Sequence, residues 1–136
     1  MILQIDLTSS EPIYRQIRSQ IVRGVASGEL SSGDPLPSVR TLASDLGINM
    51  HTVNKAYAVL RDEGYVVMRG RSGAYIADAA HPLSDARARE QYNLIASGLM
   101  RLAVEYRARG GSEEDFVELA TEQAQAAYHG KKEGDA

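Results

Sequence analysis

Cysteine is absent from the 136 residues, which excludes disulfides, thiolate zinc centres and a cysteine nucleophile. Long apolar runs are absent too, and no stretch approaches the ~18 consecutive apolar residues that a membrane span requires. The opening segment MILQIDLTSS has neither a basic region nor a long hydrophobic stretch. A secretory signal is therefore not expected there, and a cytoplasmic location is the simplest expectation. The three histidines, His51, His81 and His129, stand far apart and match no metal-ligand spacing such as H-x-x-x-H. Phosphate-loop and nucleophile-elbow patterns are missing, as are internal repeats and low-complexity segments. The acids Glu113, Glu114 and Asp115 suit the positive end of a helix better than a catalytic pair. No enzyme, metal or cofactor is expected.

What is present is an ordinary globular composition, 43% hydrophobic and 24% charged, enough for one compact domain and an appendage. The net charge of −3 is unevenly spread. Residues 1–76 carry eight basic and seven acidic side chains, whereas residues 77–136 carry seven and eleven. The acidic surplus thus belongs to the C-terminal part, and a modest basic face near the N-terminus suffices to meet phosphates.

Along the chain, Ile2–Leu7 alternate as a short extended arm. Thr8-Ser9-Ser10-Glu11-Pro12 reads as a helix start with Ser or Thr caps, an early acid and a first-turn proline. Ile13, Ile17, Ile21 and Val25, widened by Tyr14 and Val22, form its apolar stripe, and Gly28 its stop. A loop over 31–37 follows. Ser38 then caps a short helix with Val39, Leu42, Ala43 and Leu46 inward, ended by Gly47. Asn49 caps a third helix with Val53, Ala56, Tyr57 and Leu60 inward and Gly64 beyond its end.

Two short helices separated by a glycine turn suit a helix-turn-helix. Tyr65–Met68 and Ala74–Ala77 are strand-like, joined by the basic, flexible tip Arg69-Gly70-Arg71-Ser72-Gly73. The expected fold is mainly α with a small β-hairpin: an N-terminal winged helix-turn-helix over 8–78, then a two-helix dimerisation region over 83–129. Residues 130–136 are expected to be a disordered tail.

The third helix leaves Met50, His51, Asn54 and Lys55 facing outward near its start. In a major groove, His51 and Asn54 can reach bases or phosphate, Met50 a thymine methyl, and Lys55 a phosphate. Taken alone, that face reads better as a solvated surface than as a nucleic-acid contact. Its neighbours favour the nucleic-acid reading. Arg40 lies in the first turn of the second helix, Ser38 can donate to phosphate as well as cap, and Arg69 and Arg71 at the hairpin tip suit a minor groove. Thr52 either joins this surface or braces its helix against that of Arg40.

The succession PIYRQIRSQIVRGVASGEL and LPSVRTLASDLGINMHTVNKAYAVLRDEGYV resembles the DNA-binding domain of GntR-family regulators over about residues 11–77. Arg40, Leu42-Ala43, Thr52-Val53 and Glu63-Gly64 align with the family pattern, as does Leu36-Pro37-Ser38. The resemblance implies a homodimer bound to an inverted-repeat operator. Its DNA contacts would lie at Arg40, at the start of the third helix (Asn49, Met50, His51, Thr52, Asn54, Lys55) and at the wing (Arg69, Gly70, Arg71, Gly73), beside the Ser38 hydroxyl already noted. Met50 is apolar where relatives often carry a basic or polar residue, and the wing lacks the tight G-x-G of many relatives.

About sixty residues follow the domain, too few for the usual effector-binding or aminotransferase-like domain. That resembles the YtrA subfamily, whose small helical tail dimerises and whose members often control ABC-transporter genes. The tail agrees. Tyr92, Ile95, Leu99, Leu102 and Tyr106 recur at 3–4 spacing, and Phe116 opens a second stripe through Val117, Ala120, Ala124, Ala127 and Tyr128. Two such helices cannot bury both stripes alone, so pairing with a second copy is expected, folding back onto the winged domain being the alternative. Gly98 costs about 1 kcal/mol against Ala unless a close helix crossing uses it. A small-molecule effector, if any, would occupy a crevice beside the tail or the dimer interface. A different class of function, a winged helix serving as a protein-interaction module, remains open on the acidic balance and Met50.

Overall fold

The computed structural model describes residues 2–78 and 85–130, and the chain divides into two compact units between residues 80 and 81. In the first unit the order is α1 (Ile13–Ser27), α2 (Val39–Leu46), α3 (Met50–Asp62), β1 (Val66–Met68) and β2 (Ala74–Ile76). The second holds α4 (Asp85–Ala108) and α5 (Glu113–His129). This is the mainly helical architecture with one hairpin that the residue pattern implies.

The i, i+4 spacing of Ile17 and Ile21 places both on one side of α1, where they are fully buried. They meet Val53, Ala56, Tyr57 and Leu60 of α3, Leu42 and Ala43 of α2, and Val66, Ala74 and Ile76 of the hairpin in one cluster. Each fully buried side chain of this size contributes roughly 1.5–3 kcal/mol relative to exposure, so this cluster holds three helices and the hairpin as one body.

The start of α1 departs from expectation. Pro12 occupies the N-cap and no side chain caps the helix. The residues expected to cap it bond locally instead: the Thr8 hydroxyl donates to Asp6 and the Ser9 hydroxyl accepts from the Glu11 N–H. The N-terminal arm is held by two glutamines one helical turn apart. The buried Gln16 amide accepts from the Asp6 N–H and donates to the Asp6 and Glu11 carbonyls, and Gln20 brackets the backbone of Gln4 in the same way. Leu3 and Ile5 of the arm thereby pack against the core.

Helices α2 and α3 begin as their sequences predict. The Ser38 oxygen accepts from the Thr41 N–H, and the Asn49 side chain accepts from the His51 N–H. Between them Gly47 adopts φ 67°, a left-handed conformation costly for a residue with a Cβ, and turns the chain sharply enough for α2 to pack on α3.

The hairpin pairs Val66 with Ile76, Val67 with Tyr75 and Met68 with Ala74. Its tip, expected to be flexible, winds into a single 3-10 turn over Gly70–Ser72, closed by the Arg69 N–H donating to the Gly73 carbonyl. Gly73, at φ 99° and ψ −153°, occupies a region essentially reserved for glycine. The segment expected to be a plain loop pairs with the sheet. The Gly33 N–H donates to Ile76, the Ile76 N–H to Asp34 and the Leu36 N–H to Ala74. This edge satisfies β2 backbone groups that the two-stranded hairpin leaves over.

In the second unit, α4 runs into α5 through a turn in which the Gly111 N–H donates to the Tyr106 carbonyl and the Ser112 oxygen accepts from the Asp115 N–H. The Tyr106 and Phe116 rings meet across this turn with centroids 5.9 Å apart. No described side chain of α4 or α5 is buried. The expectation of a disordered tail concerns residues that, from 131 on, lie outside those described.

Candidate nucleic-acid interface

Burial of Val53, Ala56, Tyr57 and Leu60 determines which way α3 faces. With that stripe against the core, the remaining positions of its first two turns, Met50, His51, Asn54 and Lys55, are exposed, and Thr52 is half-buried. His51 and Lys55 stand one turn apart on the same line. The Asn49 cap leaves its amide nitrogen outside the capping contact, so the start of the helix presents a donor there.

Helix α2 adds Arg40, exposed in its first turn. Ser38 proves doubly engaged, its oxygen accepting from the Thr41 N–H at 3.1 Å and its hydroxyl donating to the Thr41 side-chain oxygen at 2.8 Å. The two are thus a coupled pair at the α2 start, and Thr41 is a polar neighbour that the sequence pattern did not single out. Helix α3 is fastened to the loop leading into α2 by the Tyr57 hydroxyl, which donates to the Pro37 carbonyl at 2.7 Å. Burial pushes the Tyr57 phenol up to about 12.

On the wing, Gly70 and Arg71 are exposed and Gly73 is half-buried. The Arg69 guanidinium lies 5.3 Å from the Tyr75 ring centroid, on the flank of the hairpin. The two arginines expected to act together therefore differ: Arg71 projects from the 3-10 turn while Arg69 packs along β2.

Charge pairing sorts the basic groups of the first unit. Arg18 is bound by Glu63 and Arg61 by Asp62. Among the described residues no carboxylate forms an ion pair with Arg15, Arg23, Arg40, Lys55 or Arg71. Two of these are linked through a residue that the sequence pattern assigned only to a core stripe. The Lys55 ammonium sits 4.2 Å from the Tyr14 ring centroid, and Arg15 Nε donates to the Tyr14 hydroxyl at 3.2 Å. The signal missed was the polar tip of an otherwise half-buried Tyr14.

In the second unit, Tyr92 is 75% exposed, Ile95 66%, Leu99 50% and Leu102 47%, while Tyr106 and Phe116 are half-buried against each other. These apolar side chains form a row open to water on the single chain. No described helix is long and apolar enough to cross a membrane.

Comparison with known proteins bears on this arrangement. The family model for bacterial regulatory proteins of the gntR family matches residues 13–76. The transcriptional repressor YtrA of Bacillus subtilis is 47% identical over 79 residues, 57% of this chain and 60% of that protein. Matched segments cover about three fifths of the length of such relatives. Among solved structures, YtrA from Sulfolobus acidocaldarius, a GntR-family transcription factor, superposes with a TM-score of 0.60 at 38% identity, covering 90% of this chain and 96% of that one. A transcriptional antiterminator from Listeria monocytogenes EGD-e superposes with a TM-score of 0.83 at 27% identity, covering 99% and 98%.

Proposed function

Because the chain belongs to the gntR family of bacterial regulatory proteins, with a YtrA-like organisation, we propose that it is a sequence-specific DNA-binding transcriptional regulator. It acts as a homodimer on an inverted-repeat operator, as a repressor. The observation that carries this reading is the exposed start of α3, bearing His51, Asn54 and Lys55, beside Arg40 and Lys55 that no described carboxylate neutralises. A helix of this length enters a major groove with its first turns against base edges, and unpaired cations at its margin meet phosphates.

Each element has a role in that complex. Asn49, Met50, His51, Thr52 and Asn54 line the base-facing turn, with Met50 supplying an apolar patch suited to a thymine methyl. Arg40 and the Ser38–Thr41 pair meet the backbone from α2, and Arg71 with Gly70, Gly73 and Arg69 forms the wing contact. The exposed row Tyr92, Ile95, Leu99 and Leu102 pairs with that of a second copy, setting the half-site spacing. The resemblance to YtrA supports an ABC-transporter operon as the controlled locus.

Selection of bound duplexes from a random pool tests the reading. Enrichment of a palindrome is expected. Arg40→Ala should then bind the selected duplex at least tenfold more weakly with unchanged thermal unfolding. A protein that enriches no sequence is instead a winged-helix interaction module, the reading that Met50, 43% exposed on the same face, would favour.

A further inference from the structure

We propose that Tyr14, Arg15 and Lys55 form a single phosphodiester-binding site that carries the DNA contact of α3 onto the first turn of α1. The inference rests on the DNA-binding reading above and extends that surface to Tyr14 and Arg15. Lys55 lies on α3 four residues after His51, on the margin of the exposed face. Its ammonium is held over the face of the Tyr14 ring, 4.2 Å from the centroid. Arg15 Nε donates to the hydroxyl of that same ring at 3.2 Å. One phenol therefore organises two cations, one on its face and one at its edge.

A lysine on an exposed helix face normally samples many rotamers, and binding must restrict them. The ring removes much of that freedom in advance through cation–π attraction. Arg15 uses Nε on the phenol, which leaves the two terminal nitrogens of its planar fork for two oxygens of a phosphate. The Tyr14 hydroxyl accepts from Arg15 and keeps its own proton to donate. The hydrogen bond from Arg15, followed by the charges of Arg15 and Lys55, holds the phenol below its usual pKa despite partial burial, which makes it a better donor to an anion. Glu11 interacts with Arg15 only through space, Arg18 repels it, and no described carboxylate forms an ion pair with Arg15 or Lys55. Two cations held near one another without a counter-ion favour an external anion, and its position at the margin of the α3 face suits the DNA backbone.

The test uses the full chain and a fluorescent duplex carrying the selected palindrome, titrated at several sodium chloride concentrations. Lys55→Met and Arg15→Gln should each weaken binding about tenfold and each reduce the slope of log affinity against log salt by about one. Tyr14→Phe removes only the hydroxyl and should weaken binding about threefold with unchanged unfolding. Tyr14→Leu should weaken it as much as Lys55→Met, and its effect should largely vanish when Lys55 is already Met, because the ring acts through the lysine. Wild-type affinity and slope in Arg15→Gln and Tyr14→Phe, while Arg40→Ala loses binding, would overturn this site and leave the DNA-binding reading intact. A wild-type protein that binds no duplex overturns both.

Discussion

The hydroxyl of Tyr57, at the centre of α3, donates to the carbonyl of Pro37 at 2.7 Å and so fastens the helix proposed to meet DNA to the residue just before the α2 cap. Tyr57→Phe should cost about 1 kcal/mol, since it deletes one hydrogen bond and keeps the ring in the core. The phenol titrates at about 12 in the folded protein against an ordinary 10.0. Because the raised value favours the neutral form in the fold, its stabilising contribution is complete below pH 10 and is lost as pH climbs towards 12. Urea unfolding of wild type and Tyr57→Phe between pH 8 and 12 checks this: the wild-type curve should fall more steeply above pH 10, and parallel curves would refute the assignment.

Arg18 and Glu63 form a two-pronged ion pair, at 2.8 and 2.7 Å, that ties the middle of α1 to the end of α3. The hydrogen bonds that Arg18 donates to Glu63 raise the guanidinium pKa further above its ordinary range. Both side chains are about a third exposed, so water and salt screen the pair. A double-mutant cycle with Arg18→Met and Glu63→Gln should give a coupling of about 0.5 kcal/mol that shrinks in 1 M salt.

Asn49 caps α3 and also stands at the proposed DNA surface, and two substitutions separate these roles. Asn49→Ala should lower stability by about 1 kcal/mol through loss of the bond to the His51 N–H. Asn49→Asp keeps that acceptor and should leave stability unchanged. Its new negative charge should nonetheless weaken duplex binding by tenfold or more at low salt. Equal binding by Asn49→Asp and wild type would place this corner of α3 away from the DNA backbone.

Leu99 lies midway along the exposed row of α4 and is half exposed in the single chain. If that row is covered by a second copy, Leu99→Glu would bury an unpaired charge there. Sedimentation velocity should show a dimer for wild type and a monomer for Leu99→Glu, with the melting of the winged unit unaltered. A wild-type monomer at tens of micromolar would exclude this surface as the dimer contact.

The amino-acid order by itself determined a good deal of this protein. Hydrophobic spacing set the inward residues of α1, α2 and α3, because an α-helix repeats every 3.6 residues and the core must collect one face of each. Ser38, Gly47 and Asn49 marked helix ends through chemistry local to a few residues. Exposure of the α3 start followed from the same periodicity, and so did the outward row of α4. What tertiary structure alone decided involves partners distant along the chain. Gln16 and Gln20 look like surface residues until the arm lies beside them, and the loop over 31–37 gives no sign that it will edge the hairpin. Arg69 and Arg71 are indistinguishable in the sequence, yet only the fold sets one against Tyr75. Tyr14 carries both meanings: its helical spacing made it part of a core stripe, and the approach of α3 turned its polar tip and open face into a support for Lys55 and Arg15. Local geometry is written every few residues, whereas such long-range pairings depend on where packing brings separate elements together.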